Sequence, residues 1–198
     1  MKKIAALAAA ILLFPLAALA QAPPGVARGV IVVVANDTLT LKLADGSTEQ
    51  IALAKDWKAS VLKPVSVDTI QPGSFIGTAE MPQKDGTGRS LEVHVFPPGV
   101  KAGEGHYDWD LKQGSKMTNG TVGKVTASGT GRQLQVSYPN GERQITVPPN
   151  VPVVQITPGE RTLAKPGTAA FLIVVKNPSG GLSSNGIAVG ENGAVPPM

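Results

Sequence analysis

The sequence predicts an all-β protein, built as two small β-barrel domains in tandem behind an N-terminal signal peptide. Three observations carry that expectation. Residues 94 positions apart repeat one another over a long stretch, apolar and polar residues alternate over short runs bounded by glycine and proline, and no convincing amphipathic helix period follows the leader.

The chain opens MKKIAALAAAILLFPLAALA, with Lys2 and Lys3, an apolar run from Ile4 to Ala17, and Ala18-Leu19-Ala20 at its end. A charged start, an apolar centre and a small-residue site form the signature of a cleavable signal peptide over residues 1–20. Pro15 interrupts the run, which falls short of the roughly 20 apolar residues a spanning helix needs. Cleavage after Ala20 and a periplasmic or secreted destination are expected. With no cysteine in the chain there is no site for a lipid anchor.

Loss of Lys2 and Lys3 leaves 16 of the 18 basic residues against 14 acidic ones, a nearly balanced charge. The charges are interspersed, so the basic footprint of a nucleic-acid or anionic-lipid binder is missing, and no nucleic acid is expected as partner. The absence of cysteine also excludes disulfides and thiolate metal sites, leaving an apolar core to hold the fold. Only the leader is apolar enough to enter a membrane, so no span is expected after cleavage, and a multi-span transporter is excluded.

A shift of 94 lays Gln50-Ile51 on Gln144-Ile145, Pro64 on Pro158, Pro72-Gly73 on Pro166-Gly167, Gly86 on Gly180, Ser90 on Ser184, Val95 on Val189 and Gly99 on Gly193. Upstream the register drifts by one to set Asp45-Gly46 over Asn140-Gly141, and the second copy then needs a loop about four residues longer near Ser128 to Gly131. The matches include turn glycines and prolines, where backbone geometry limits substitution. A duplication is the expected reading.

Each copy reads as strands. Gly29 to Ala35 is valine-rich, and Thr38-Leu39-Thr40-Leu41-Lys42-Leu43 alternates as a half-buried strand does. Asp45-Gly46 offers tight-hairpin chemistry before a returning strand from Glu49 to Leu53. Gln133 to Tyr138, Asn140-Gly141 and Arg143 to Val147 repeat the plan. Gln71-Pro72-Gly73 and Lys165-Pro166-Gly167 are turns that launch Ser74 to Met81 and Thr168 to Lys176, and Gly86 and Gly180 turn those into a closing strand. Roughly five or six strands per half suit a small OB-like barrel. The expected boundaries are a first barrel over 26–100, an aromatic-rich segment over 101–117, a second barrel over 118–193 and a disordered tail over 194–198.

The succession of valine-rich strand, alternating strand, D-G or N-G, returning strand and P-G turn resembles the bacterial exported domain of unknown function 5666. Both halves resemble it, together covering most of Val26 to Gly193. That family has no established activity, so the resemblance implies the fold and an exported setting and assigns no site.

The segment from Lys101 to Met117 has no counterpart after the second copy, and it carries one of two tryptophans and one of two tyrosines. His106, Tyr107, Asp108, Trp109 and Asp110 are therefore the candidate binding residues. Tyr107 and Trp109 are expected to pack across the two barrels, since such rings bury large area. His106, Asp108 and Asp110 alternate and in an extended segment point one way, which offers an alternative reading as a metal-handling accessory protein. The run fails the calcium-loop pattern, with Lys112 and Gln113 where a ligand and glycine belong. His94, whose repeat position is Ala188, is expected at the surface.

No G-x-S-x-G elbow is present, and Gly86-Thr87-Gly88-Arg89 lies between strands, where phosphate cradles open helices. No cofactor motif appears. The expected function is a non-catalytic binding or scaffolding protein of the cell envelope, with an envelope protein, a glycan or a small molecule as partner.

Overall fold

The computed structural model describes residues 25–129 and 131–198, and the expected signal peptide over 1–20 lies outside the described residues. Among those residues the chain is all-β, with thirteen strands and three one-turn 3-10 segments as its only helical elements. In chain order the strands are β1 (Gly25–Ala35), β2 (Thr38–Lys42), β3 (Thr48–Pro64), β4 (Phe75–Pro82), β5 (Gly88–Ser90), β6 (Val93–Val95) and β7 (Gly105–Asp108). They continue with β8 (Lys116–Ser128), β9 (Gly131–Tyr138), β10 (Gly141–Val147), β11 (Val153–Gly159), β12 (Ala169–Lys176) and β13 (Leu182–Gly190).

The alternation read from the sequence is the alternation that is buried. Leu39 and Leu41 of β2, and Leu134 and Val136 of β9, are fully inside, while the residues between them are only partly covered. Both P-G turns form as expected, with Gly73 at φ 89° and Gly167 at φ 84°, the positive region that a proline-glycine turn needs at its third residue. The hairpin turns differ. Gly46 takes φ 86°, but the second hairpin turns at Pro139-Asn140, and Gly141 already pairs with Tyr138. Gly141 is small there for space, since a Cβ would stand 3.1 Å from the Tyr138 ring.

The strand pairings do not divide at the middle of the chain. β1, β2, β3, β13 and β12 pair in a closed ring, completed by the parallel contact of β13 with β3. A second ring runs β4, β5, β10, β9 and β8, closed by a short parallel contact of Gly88 and Arg89 with Ile145 and Thr146. Each ring thus takes three strands from one half of the chain and two from the other. This corrects the expectation of one barrel from 26–100 and another from 118–193.

The physical reason lies in β3, which runs unbroken for 17 residues, past the expected end at Leu53, and carries the chain out of its first ring before β4 begins. In the second half Pro148, Pro149 and Pro152 interrupt the same path between β10 and β11. β3 and β11 then pair antiparallel from Val154–Pro64 to Gly159–Ala59 and form the seam between the rings.

Ladder registers repeat as the residues do. Ile31 faces Leu41 as Val122 faces Val136, each followed by an irregularity before Val33 and Lys124. Phe75 faces Thr121 as Ala169 faces Val30, and Val93 lies beside Val153 as Ile187 lies beside Ala59.

Each ring has its own apolar core. One gathers Ile31, Leu39, Leu41, Ile51, Leu172 and Ile187; the other gathers Ile76, Val93, Val122, Leu134, Val136 and Ile145. A third cluster of Leu62, Val154, Phe171 and Met198 fills the seam. The tail expected to be disordered over 194–198 is instead docked, with Met198 only 4% exposed and its main-chain oxygen accepting from Arg28 Nε. Burial of an apolar side chain is what holds it.

Candidate functional site

β8 and β4 bring Gly77 opposite Asn119, and β6 brings His94 to the other side of Gly77. Both neighbours lean over the glycine. His94 Nε2 and Asn119 Oδ1 lie 2.0 and 2.1 Å from the position a Cβ on Gly77 would take. Only a residue without a side chain lets the imidazole and the amide converge.

Behind them lies a buried polar network. Glu92 is fully buried, its Oε1 accepts from the Ala79 amide at 2.7 Å, and its Oε2 is 3.0 Å from His94 Nδ1. Thr78 Oγ1 donates to the Glu92 carbonyl at 2.5 Å and meets Ser90 Oγ at 2.8 Å. Asn119 Nδ2 donates to the Gly103 carbonyl and to Tyr107 Oη, each at 2.9 Å. A carbonyl only accepts, so these bonds fix which end of the amide is nitrogen. Asn119 Oδ1 is left buried and without a partner among the described residues.

The other ring fills the matching positions differently. Phe171 stands where Gly77 does, Ala188 matches His94, and Arg28 matches Asn119, in the same ladder relation. Leu172 and Val174 replace Thr78 and Glu80. The polar set is thus confined to one ring. His94, expected at the surface, is 6% exposed; its asymmetry with Ala188 marks a specialised interior, which corrects the sequence reading.

These two unlike faces converge on a groove of about 1650 Å³ along the seam, with Trp57, Phe96, Trp109, Ile156 and Phe171 in its wall and His94 and Asn119 also lining it. The volume exceeds the roughly 300–1,000 Å³ common for small-molecule sites. The wall is mostly apolar. Trp109 Nε1 is buried there with no acceptor among the described residues.

The candidate residues of the joint separate by role. Tyr107 and Trp109 meet edge to face at 6.3 Å and both line the groove. Trp109 also packs on the seam cluster and stands 6.5 Å from the Phe171 ring. β7, which carries Tyr107, pairs with β8 of one ring, so the segment does reach from that ring to the other. Burial raises the Tyr107 hydroxyl above its ordinary value, which keeps it protonated.

His106, Asp108 and Asp110 are not brought together. His106 Nδ1 bonds Thr118 Oγ1 at 2.8 Å, and its ring stacks on Tyr138. Asp108 pairs with Lys116, which holds its carboxyl below the usual value. Asp110 receives both Arg28 terminal nitrogens, at 2.8 and 2.9 Å. Among the described residues no three His, Asp or Glu side chains gather around a point that could hold a metal. The alternation needed a strand through Asp110, and β7 ends at Asp108.

Next to His106 lies the buried carboxylate of Glu80, which takes Arg143 Nε at 2.9 Å and Nη2 at 2.8 Å. Burial pushes Glu80 up, against the pull of Arg143. Burial, with the charges of Arg143 and Lys116, pushes His106 down.

His94 and Asn119 were not among the candidates read from the sequence. Glu92 and His94 at i and i+2 were the available signal, since that spacing sets two side chains on one side of a strand. Comparison with protein-family models, with characterised proteins and with solved structures returns no match.

Proposed function

We propose that the protein is an exported binding module, with no catalytic step of its own, that holds an apolar ligand in the groove along the seam. The observation that carries this reading is the size of the groove together with its apolar, aromatic wall. Sites for small molecules have this composition, with few polar groups set among many apolar ones. Of the partner classes expected from the sequence, the wall favours a small molecule over a glycan, whose hydroxyls would need many polar contacts.

Export rests on the three-part pattern of residues 1–20, and the resemblance to the exported domain family agrees with it in compartment. No helix among the described residues is long and apolar enough to cross a membrane.

Trp57 and Trp109 are the only tryptophans of the chain and both line the groove. Their emission therefore reports occupancy. Titration of the mature protein with Nile red, an uncharged apolar dye, is expected to shift that emission and to saturate at one equivalent. Phe171→Asp should weaken the dye at least about tenfold, because it sets a charge in the apolar wall. A linear, unsaturable response would remove the reading.

A further inference from the structure

We infer that the groove selects ligands carrying an uncharged amide group, and that His94 and Asn119 are the residues that recognise it. This rests on the groove being a binding site and adds the chemistry of the ligand's polar end.

The argument starts from unmet hydrogen-bonding capacity. Asn119 is 6% exposed, and its Oδ1 has no partner while its Nδ2 is used twice. Glu92 Oε2 lies 3.0 Å from His94 Nδ1, and in the tautomer that donates to this carboxylate the other ring nitrogen, Nε2, is an acceptor turned toward the same place. Nε2 and Oδ1 both overhang Gly77, and their separation cannot exceed the sum of their short distances to the missing Cβ. Two acceptors facing one spot repel each other and are satisfied by a donor placed between them. Leaving a buried acceptor unpaired costs about 1–3 kcal/mol, so the pair favours a ligand that donates.

Charge narrows the class. A carboxylate would bring a third set of acceptors against Nε2 and Oδ1, with the buried Glu92 behind them. An ammonium would need a carboxylate in contact, and both Glu92 oxygens already accept, from Ala79 and from His94. A neutral N–H or O–H remains. The same groove also offers one unpartnered donor, Trp109 Nε1. A group that both donates and accepts answers the whole set, and an amide does so from two separate atoms, its N–H and its carbonyl oxygen, where a hydroxyl has only one. The apolar remainder of the ligand then lies against Phe171 and Ile156.

The other ring supports the assignment by contrast. There Phe171, Ala188 and Arg28 occupy the matching positions, and the guanidinium lies 5.5 Å over the Phe171 ring and is bound to Asp110. No acceptor pair is left open at those matching positions among the described residues.

The test uses the mature protein and ten-carbon probes that differ only at the head: decanamide, methyl decanoate and decanoate, followed by tryptophan emission. Decanamide is expected to bind at least about tenfold more tightly than either of the others, the loss that follows from stranding buried polar groups. In Asn119→Leu the amide and the ester should bind alike. The wild-type series decides the matter even if that variant does not fold. Equal affinity for all three probes would overturn amide recognition while leaving the apolar groove intact. Tighter binding of decanoate would overturn it as well, and no binding of any probe would remove the groove as a site altogether. An acetylated trileucine amide in the same assay separates the two sources of the group: tighter binding than decanamide assigns an apolar peptide, weaker binding an acyl amide.

Discussion

Leu62 and Ile156 face each other across the seam, at the one position of the β3–β11 ladder that a shift of 94 exchanges with itself. The two rings are therefore related about this pair, and the chain passes through the seam twice, along β3 toward the second ring and along β11 back to the first. Leu62 is 1% exposed and packs with Val154, Phe171 and Met198. The exchange of strands makes the rings interdependent, because neither closes without residues from the far half of the chain.

One cooperative unfolding transition is thus expected where two independent tandem domains would give two. The measurement places the probe in one ring and the damage in the other. Trp57 belongs to the first core, and with Trp109→Phe it is the sole tryptophan. Ile145→Ala cuts the second core at a fully buried side chain and should cost about 2–5 kcal/mol. The Trp57 transition in urea should move by the whole of that loss, and an unmoved transition would show separate domains.

Leu62→Ala tests the seam itself and should cost a similar 2–5 kcal/mol, with no change in the number of transitions. Ile156→Ala should cost less, since Ile156 is only partly buried on the groove side. The two losses are expected not to add, because the side chains face each other across one ladder position.

Strands and turns were legible because they are written locally. Leu39 and Leu41 alternate, and the prolines before Gly73 and Gly167 preset a turn, whatever the rest of the chain does. The identity of each strand's partner is not local. Phe75 could face Val30 or Thr121 by the same ladder rule, and two similar halves present similar edges, so the pattern cannot choose between them. What chooses is the continuity of β3 through Trp57 to Pro64, where the alternation weakens over Lys55, Asp56 and Lys58.

Glu92 is the anchor of the polar network, and its removal should be felt at His94. Glu92→Gln keeps the shape but turns one acceptor into a donor, so either the Ala79 amide or His94 Nδ1 loses its bond. A loss of about 1–3 kcal/mol in urea denaturation is expected. The nitrogen-15 shifts of the His94 ring should also change, since the carboxylate sets which nitrogen carries the proton. Wild-type stability in this variant would mean that the carboxylate holds nothing.

His106 gives the stability a pH dependence. Its folded value is lowered, so as pH falls below 6.5 the unfolded chain takes up a proton that the folded chain resists, and stability falls with it. Glu80 acts with the opposite sign: its folded value is raised above 4.5, so its protonation as pH falls relieves a cost of burial. The His106→Gln variant should lose less stability than wild type between pH 7.5 and 5.5, measured by thermal midpoint. Parallel curves for the two proteins would assign the dependence elsewhere.

Half of the candidate site could be read from sequence and half could not. Tyr107 and Trp109 stand out because aromatic residues are scarce and these two lie in the one segment without a repeat partner. His94 and Asn119 each sit among apolar or small neighbours on separate strands, and only the pairing of β4 with both β6 and β8 brings them over Gly77. Comparing the copies pointed the wrong way at His94, because the absence of a histidine at Ala188 was read as freedom when it marks the division of polar and apolar interiors between two rings.

Gly77 offers the most selective disturbance of that arrangement. Its backbone does not need glycine, since its φ is not positive, so an alanine there meets a purely steric obstacle. The new methyl would fall within 2.1 Å of both His94 Nε2 and Asn119 Oδ1 and must displace the ring from Glu92 or the amide from Gly103. Overpacking of this kind costs about 1–3 kcal/mol. Gly123→Ala in β8 is the control, because the nearest atom to its Cβ would be 3.9 Å away, and it should leave stability within about 0.5 kcal/mol. If Gly77→Ala also abolishes the preference for decanamide over methyl decanoate while Nile red still binds, the polar end and the apolar wall of the groove are separable. A Gly77→Ala protein with unchanged stability and unchanged preference would mean that the two acceptors do not converge there.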